Sequence, residues 1–270
     1  MGVANKRDFY KLRELNPEDV EFIKKLAIKP SPKHLQKLHA NLVKQFNFLF
    51  KLKSLIRYRG IDNQKLNDEI EEAVNNLEED LHGRIESRAI GHINSILKGD
   101  VGFFNTDEGN MDFVYFLCVQ YMRTKKIKSS VLANVTSPKN IDLEKIWNVL
   151  SHIFATNMGW SLYAERNNFH VVLLDNQSSM QFITGDQPVI NTYATGDPKS
   201  PPETLEFYYP VSPVIGILVT EKGIHKGINR ISVNAEEVSA YNEHIVRNAY
   251  DQIYASSEET LRRYRQLVND

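Results

Sequence analysis

With a single cysteine, Cys118, the chain cannot form an internal disulfide, and no set of cysteines and histidines has the spacing of a zinc finger. Charge of one sign is also lacking: 33 basic against 34 acidic side chains leave a formal charge of -1, so bulk charge points to neither nucleic acid nor a membrane surface. No stretch reaches the roughly 18 uninterrupted apolar residues of a membrane span. The charged start MGVANKRDFYK has no apolar segment of the signal-peptide kind, and Lys6 stands where a myristoylation signal wants Ser or Thr. A nucleophile elbow, a phosphate-binding glycine loop and a dinucleotide fingerprint are likewise absent, which removes the commonest motif-based activities. These gaps predict a cytoplasmic protein without a membrane partner.

What the chain does have is enough apolar material for a sizeable core, 41% of 270 residues. Asn16-Pro17-Glu18-Asp19 reads as a helix start, with Asn16 as N-cap and Pro17 in the first turn, and the helix runs to about Ile28. A second helix begins at Ser31-Pro32, carries Leu35, Leu38, Leu42, Phe46, Leu49 and Leu52, and ends before Gly60. A third covers about Gln64 to Leu97. Its apolar stripe reads Ile70, Val74, Leu77, Leu81 and Ile85, then Ile90, Ile93 and Leu97. Asp112 to Lys128 and Asp142 to Glu165 continue the helical period, and Cys118 falls inside one of these apolar runs, where a thiol packs as a small hydrophobe.

Near Asn167 the period changes from about 3.6 to 2 or to short β-rich runs. FHVVLLD (169 to 175), MQFITG (180 to 185), LEFYYPV (205 to 211) and VIGILVT (214 to 220) read as strands, with a surface loop from Asn191 to Pro202. Asn234 is the N-cap of a helix to about Tyr254, and a short charged helix follows from Ser256 or Ser257. The predicted fold class is α+β: a helical N-terminal part (1–166) packed on a small, mainly antiparallel sheet covered by a C-terminal helix (167–270), in one continuous domain.

On these helices several polar side chains fall on faces that should be buried, where each needs a partner. Glu86 precedes Ile90, Ile93 and Leu97 on their stripe. Gln120 follows Phe113, Phe116 and Leu117, and Arg123 lies one turn further. Asn242 shares a face with Val238, Ile245, Val246, Ala249 and Ile253. In FITGDQPVI (182 to 190) the strand breaks at Gly185-Asp186-Gln187-Pro188, which releases Asp186 from strand alternation and turns it inward. A guanidinium can hold Asp186 or Glu86 in bidentate fashion while Gln120 and Asn242 satisfy the remaining lone pairs. Such a group can bind a divalent metal, polarise a phosphoryl group or pin the helices to the sheet.

The histidines carry less signal. His34 and His39 are five apart on a Lys-rich helix, His82 and His92 flank Glu86 but are ten apart with no acidic second ligand following at helical spacing, and His170 and His244 fit core positions. Two basic strips, Tyr121 to Lys128 and Lys44 to Arg59 with Phe46, Phe48 and Phe50 interleaved, suit nucleic acid in composition, but the period assigns their aromatics to a buried helix face.

FYKLRELNPEDVEFIKKL, IESRAIGHINSILKGD, QYMRT, FITGDQPV, YPVSP and AYNEHIVRNAYDQIYA occur in this order along nearly the whole chain. On these stretches the sequence resembles the mainly microbial family called domain of unknown function 4238. The Thr-Gly-Asp-Gln-Pro segment, 184 to 188, takes the place of a usual Thr-Ser-Asp-Asn-Pro. Members usually carry a His-Tyr-Val-Pro segment upstream of the Phe-Tyr motif. This sequence starts almost at Phe9-Tyr10, and the expectation is that it lacks that segment, whether as a fragment, through a misassigned start, or as a member that dispenses with it. The resemblance implies no activity, but treats Glu86, Gln120, Arg123, Asp186 and Asn242 as one unit.

Two functions stay open. In one the chain is a hydrolase acting on a phosphodiester or other anionic substrate, with Asp186 and Glu86 as metal ligands or general base, Arg123 stabilising charge, and Gln120 and Asn242 binding substrate. In the other it is an interaction or structural module whose polar cluster stabilises the fold.

Overall fold

The computed structural model describes residues 13–61, 63–194 and 202–264. The Phe9-Tyr10 segment and most of the loop expected between Asn191 and Pro202 lie outside them.

The helical layer starts as its caps dictate. In α1 (Pro17–Ile23) the Asn16 side chain accepts the Asp19 N–H at 2.8 Å while the Asp19 carboxylate accepts the Asn16 N–H at 2.9 Å. A π-helical turn, Lys24–Ile28, extends it to the Pro-Ser-Pro stop. Helices α2 (Lys33–Tyr58) and α3 (Gln64–Leu97) form a long hairpin through Gly60, whose φ of 63° suits glycine. Helix α4 (Asp107–Met122) is followed by α5 (Lys125–Asn134) and α6 (Leu143–Ala164). The continuous helix expected from 112 to 128 is broken at Arg123: Thr124 adopts extended backbone, and its hydroxyl caps α5 by accepting the Ile127 N–H at 3.4 Å.

The strands begin directly after α6. They are β1 (Phe169–Asn176), β2 (Thr184–Gly185), β3 (Ile190–Asn191), β4 (Glu206–Pro210), β5 (Ile215–Glu221), β6 (Arg230–Val233) and β7 (Ile253–Tyr254), with α7 (Ala235–Asn248) before β7 and α8 (Glu258–Tyr264) after it. The main sheet runs β3-β4-β5-β1-β6. All its pairs are antiparallel except β1 with β6, so it is mixed, and the fold is α+β.

Period-2 alternation divides the sheet's side chains between two cores. Val171, Leu173, Phe207, Ile217 and Val219 join α4 and α6 in the larger cluster, which includes Phe113, Phe116, Trp147 and Ile153. Val172, Leu174, Tyr208 and Leu218 face the other way onto Val238, Ile245 and Val246 of α7. The sheet is therefore sandwiched between the helical layer and α7.

Two expected elements are shorter than their periodicity suggested. The 180–185 strand shrinks to β2, which pairs with β7 outside the main sheet. Its preceding N–H groups go elsewhere: Phe182 donates to the Pro213 carbonyl at 2.9 Å and Ile183 to Asn242 Oδ1 at 3.0 Å. The helix expected to reach Tyr254 stops at Asn248, because Ala249 takes extended backbone and the chain turns to make β7. A third correction concerns α3, whose buried register is Ile70, Val74, Glu78, His82, Ile85, Ala89 and Ile96. Ile90 and Leu97 are 59% and 44% exposed, so Glu86 lies at the edge of the buried face and not on it.

Candidate functional site

The five residues singled out from the sequence occupy three places. Asp186 is inward and 4% exposed. Its partner, however, is backbone: Oδ1 accepts the Tyr250 N–H at 2.8 Å, Oδ2 accepts the Asp251 N–H at 2.7 Å, and its own N–H donates to the Gln252 carbonyl at 3.0 Å. The expected pairing with Arg123 does not form, because the end of α7 at Asn248 delivers two N–H donors to the carboxylate instead. Gly185 serves this approach. A Cβ there would lie 3.1 Å from the Gln252 carbonyl oxygen. Lys125 clamps the same segment from the other side, 3.0 Å from Asp251 Oδ2.

Asn242, fully buried, is a second fastener. Its Oδ1 accepts the Ile183 N–H, and its Nδ2 donates to the Gln181 carbonyl at 2.8 Å and to Tyr264 Oη at 3.0 Å. Gln187, next to Asp186, joins the sheet layer to the α4–α5 junction: its Nε2 donates to the Val189 carbonyl at 2.6 Å, while Oε1 accepts the Thr124 hydroxyl.

Glu86, Gln120 and Arg123 do meet. Arg123 Nη1 lies 2.8 Å from Glu86 Oε1, and Gln120 Nε2 donates to the same oxygen at 3.4 Å. The side chains of Arg123 and Glu86 are 18% and 49% exposed, so the pair sits at the margin of the protein.

One and two turns back along α3, the same face carries His82 and Glu78, and these meet His152 of α6. The ligand-type atoms of the three residues lie within 4.8 Å of one another, and the residues are 7%, 2% and 2% exposed. His82 Nε2 is 3.6 Å from Glu78 Oε1, the two imidazole centroids are 5.1 Å apart, and Asn148, one turn before His152, donates to Glu78 Oε2 at 2.7 Å. Two helices thus each present two polar residues at i, i+4 to one buried point.

Burial governs protonation here. It pushes the Glu78 carboxyl up to about 8 against the Asn148 hydrogen bond and the charges of Lys128 and Arg123. It holds His82 down to about 3, helped by His152 and Arg123, and His152 down to about 4, helped by Arg123. Both imidazoles are therefore neutral at pH 7, the state in which histidine ligates metals. Among the described residues, Glu78, His82 and His152 bring three ligand-type atoms close enough together to surround a metal ion.

The sequence reading missed Glu78 and His152 and set His82 aside. The signal was present upstream: Glu78 precedes His82 by four, and both fall in register with Ile70 and Val74. His152 is masked by the apolar run of α6 around it.

The class is an α+β fold with a mixed sheet held between a helical layer and α7. The model of the family described as Protein of unknown function (DUF4238) matches residues 2–259, and the chain belongs to that family. No curated protein and no solved structure matches it. Among the described residues, no helix is long and apolar enough to cross a membrane.

Proposed function

We propose that this protein is a non-enzymatic interaction module, in which Asp186, Gln187 and Asn242 fasten the sheet to the rest of the chain and recognition takes place on the helical layer. The observation that carries this reading is the engagement of both Asp186 oxygens by backbone N–H groups. A carboxylate so held is a structural acceptor and is poorly placed to act as general base or metal ligand. The α2–α3 hairpin supplies a surface. Phe48 and Leu55, two turns apart on α2, are 61% and 46% exposed, and Tyr58 is 88% exposed, on the hairpin whose small cluster, among the described residues, buries Ile56, Ile70 and Val74. The triple variant Phe48→Ser, Leu55→Ser, Tyr58→Ser is expected to unfold within about 1 kcal/mol of wild type, since exposed substitutions cost little. A loss above about 2 kcal/mol in chemical denaturation would assign these side chains to the core and remove the surface.

A second reading keeps the hydrolase acting on a phosphodiester or other anionic substrate, relocated to Arg123. It is favoured by the position of the Glu86–Arg123 pair at the protein margin, within electrostatic reach of Glu78, His82 and His152. One experiment separates the two: turnover of a chromogenic phosphodiester with Mg²⁺, Mn²⁺ or Zn²⁺ by wild type and Arg123→Ala. The variant should stay folded, losing less than about 1.5 kcal/mol, because its partner Glu86 is half exposed. The first reading expects no turnover that depends on Arg123. A rate abolished in the folded variant replaces it with the second.

We assign the protein to a reducing compartment, the cytoplasm, on the support of Cys118. This thiol is fully buried and its ionisation is suppressed by burial, so it has no disulfide role to play.

A further inference from the structure

We propose that Glu78, His82 and His152 form a binding site for one divalent transition-metal ion of the zinc type, which staples α3 to α6. The site goes beyond the reading above, which needs no metal. Its geometry is that of a dispersed ligand set brought together by two helices: Glu78 and His82 one turn apart on α3, His152 from α6, 70 residues further along the chain than His82.

The donor set is selective. Two imidazole nitrogens and one carboxylate oxygen suit zinc-like ions, whereas magnesium and calcium want oxygen ligands. Zinc at ~2.1 Å from each of its ligands, arranged tetrahedrally, needs ligand atoms roughly 3.4 Å apart. The His82–Glu78 separation of 3.6 Å already fits, and the widest separation of the set, within 4.8 Å, has to shorten on binding.

An independent observation comes from His152. It is 2% exposed, yet neither of its ring nitrogens has a hydrogen-bond partner among the described residues. A buried imidazole without a partner carries a desolvation cost that a metal bond to one nitrogen would remove. Asn148 supplies the outer support: by donating to Glu78 Oε2 it fixes the carboxylate so that Oε1 is the oxygen nearest His82. The nearby cations are compensated elsewhere, Arg123 by Glu86 at 2.8 Å and Lys128 by Glu144 at 3.4 Å, which lessens their repulsion of a bound ion. With three protein donors, the ion keeps one position for water or a small anion.

The test uses the full chain stripped with a chelator and dialysed, then titrated with Zn²⁺, Co²⁺ and Mg²⁺ separately. One Zn²⁺ per chain is expected by calorimetry, Co²⁺ should develop the visible absorption of a low-coordinate site, and Mg²⁺ should compete with neither. Glu78→Gln and His152→Leu should each weaken Zn²⁺ binding by at least about 100-fold, and Asn148→Leu by about tenfold. Should a variant fail to fold by circular dichroism, the wild type decides: Zn²⁺ must move the ring-nitrogen NMR signals of His82 and His152. Absence of Zn²⁺ binding by folded wild type, unchanged affinity in folded Glu78→Gln and His152→Leu, or shifts confined to the other six of the eight histidines would overturn the site.

Discussion

Asp186→Ala is expected to lower the stability of the protein by about 3 kcal/mol, because it removes two charge-assisted hydrogen bonds at once. The bonds run to the N–H groups of Tyr250 and Asp251 at 2.8 and 2.7 Å, across 64 and 65 residues of chain, and the acceptor is 4% exposed. Asp186→Asn should cost roughly half as much, since its amide oxygen replaces one acceptor while its NH₂ group faces the other N–H donor. The denaturation midpoint gives the size of the effect, and amide exchange gives its place. Tyr250 and Asp251 should exchange faster in both variants while β1 and β5 stay protected. A midpoint equal to wild type in Asp186→Ala would show that the turn at 184–188 closes without its carboxylate.

In metal-free protein, stability is expected to peak near pH 6.5 and fall on both sides. On the acid side the cause is His82 and His152, whose folded values lie at about 3 and about 4 against an ordinary 6.5. The unfolded chain takes up protons below pH 6.5 that the folded one refuses, so each histidine withdraws about 1.4 kcal/mol per pH unit as pH falls. Glu78 acts in the opposite sense. Its folded value of about 8 against 4.5 means that the unfolded chain loses a proton the folded one keeps, so stability declines as pH rises from about 4.5 to about 8. Between 4.5 and 6.5 the two histidines outweigh the one glutamate. From pH 6.5 to 8 the loss is roughly 2 kcal/mol, and it should vanish in Glu78→Gln. The charged groups facing Glu78 are Lys128 and Arg123, which already enter this balance by drawing its carboxyl down. Urea denaturation at five or six pH values with chelator present checks the profile. A basic flank that persists unchanged in Glu78→Gln would assign it to another group.

What could be read from the sequence was mostly local. The Asn16 and Asn234 caps declare themselves within four residues, and both form capping boxes. β1 and β5 follow from alternation that the two-sided burial of the sheet enforces. The inward turn of Asp186 was legible for the same reason, through glycine and proline. Its partner was not, because that depended on where α7 ends. Ala249 and Ile253 continue the helical period of Ile245 and so disguise the exit at Asn248, whose cause is the pairing of Ile253 with Gly185, 68 residues upstream in sequence. Glu78 was hidden by its type. A glutamate is assumed to face solvent until the register places it inside, and α3 changes its apolar register near Ile85, which drew attention to Glu86 instead. His152 needed tertiary information of the plainest kind, the meeting of α3 and α6 side chains at Glu78 and His82.

The clasp between Asp186 and residues 250–251 also bears on how the chain matures as it is made. Synthesis delivers α1 to α6 before any strand, so Phe116 and Tyr121, whose rings rest 6.2 Å from Tyr209 and 5.2 Å from Phe207, wait uncovered until β4 arrives. Asp186 waits longer still, for the donors that come 64 and 65 residues after it. A nascent chain halted before Tyr250 thus holds the strands of the main sheet and α7, but neither β7 nor the donors that answer the Asp186 carboxylate. The turn between α7 and β7 is therefore the latch that closes this part of the fold, and it forms late in synthesis.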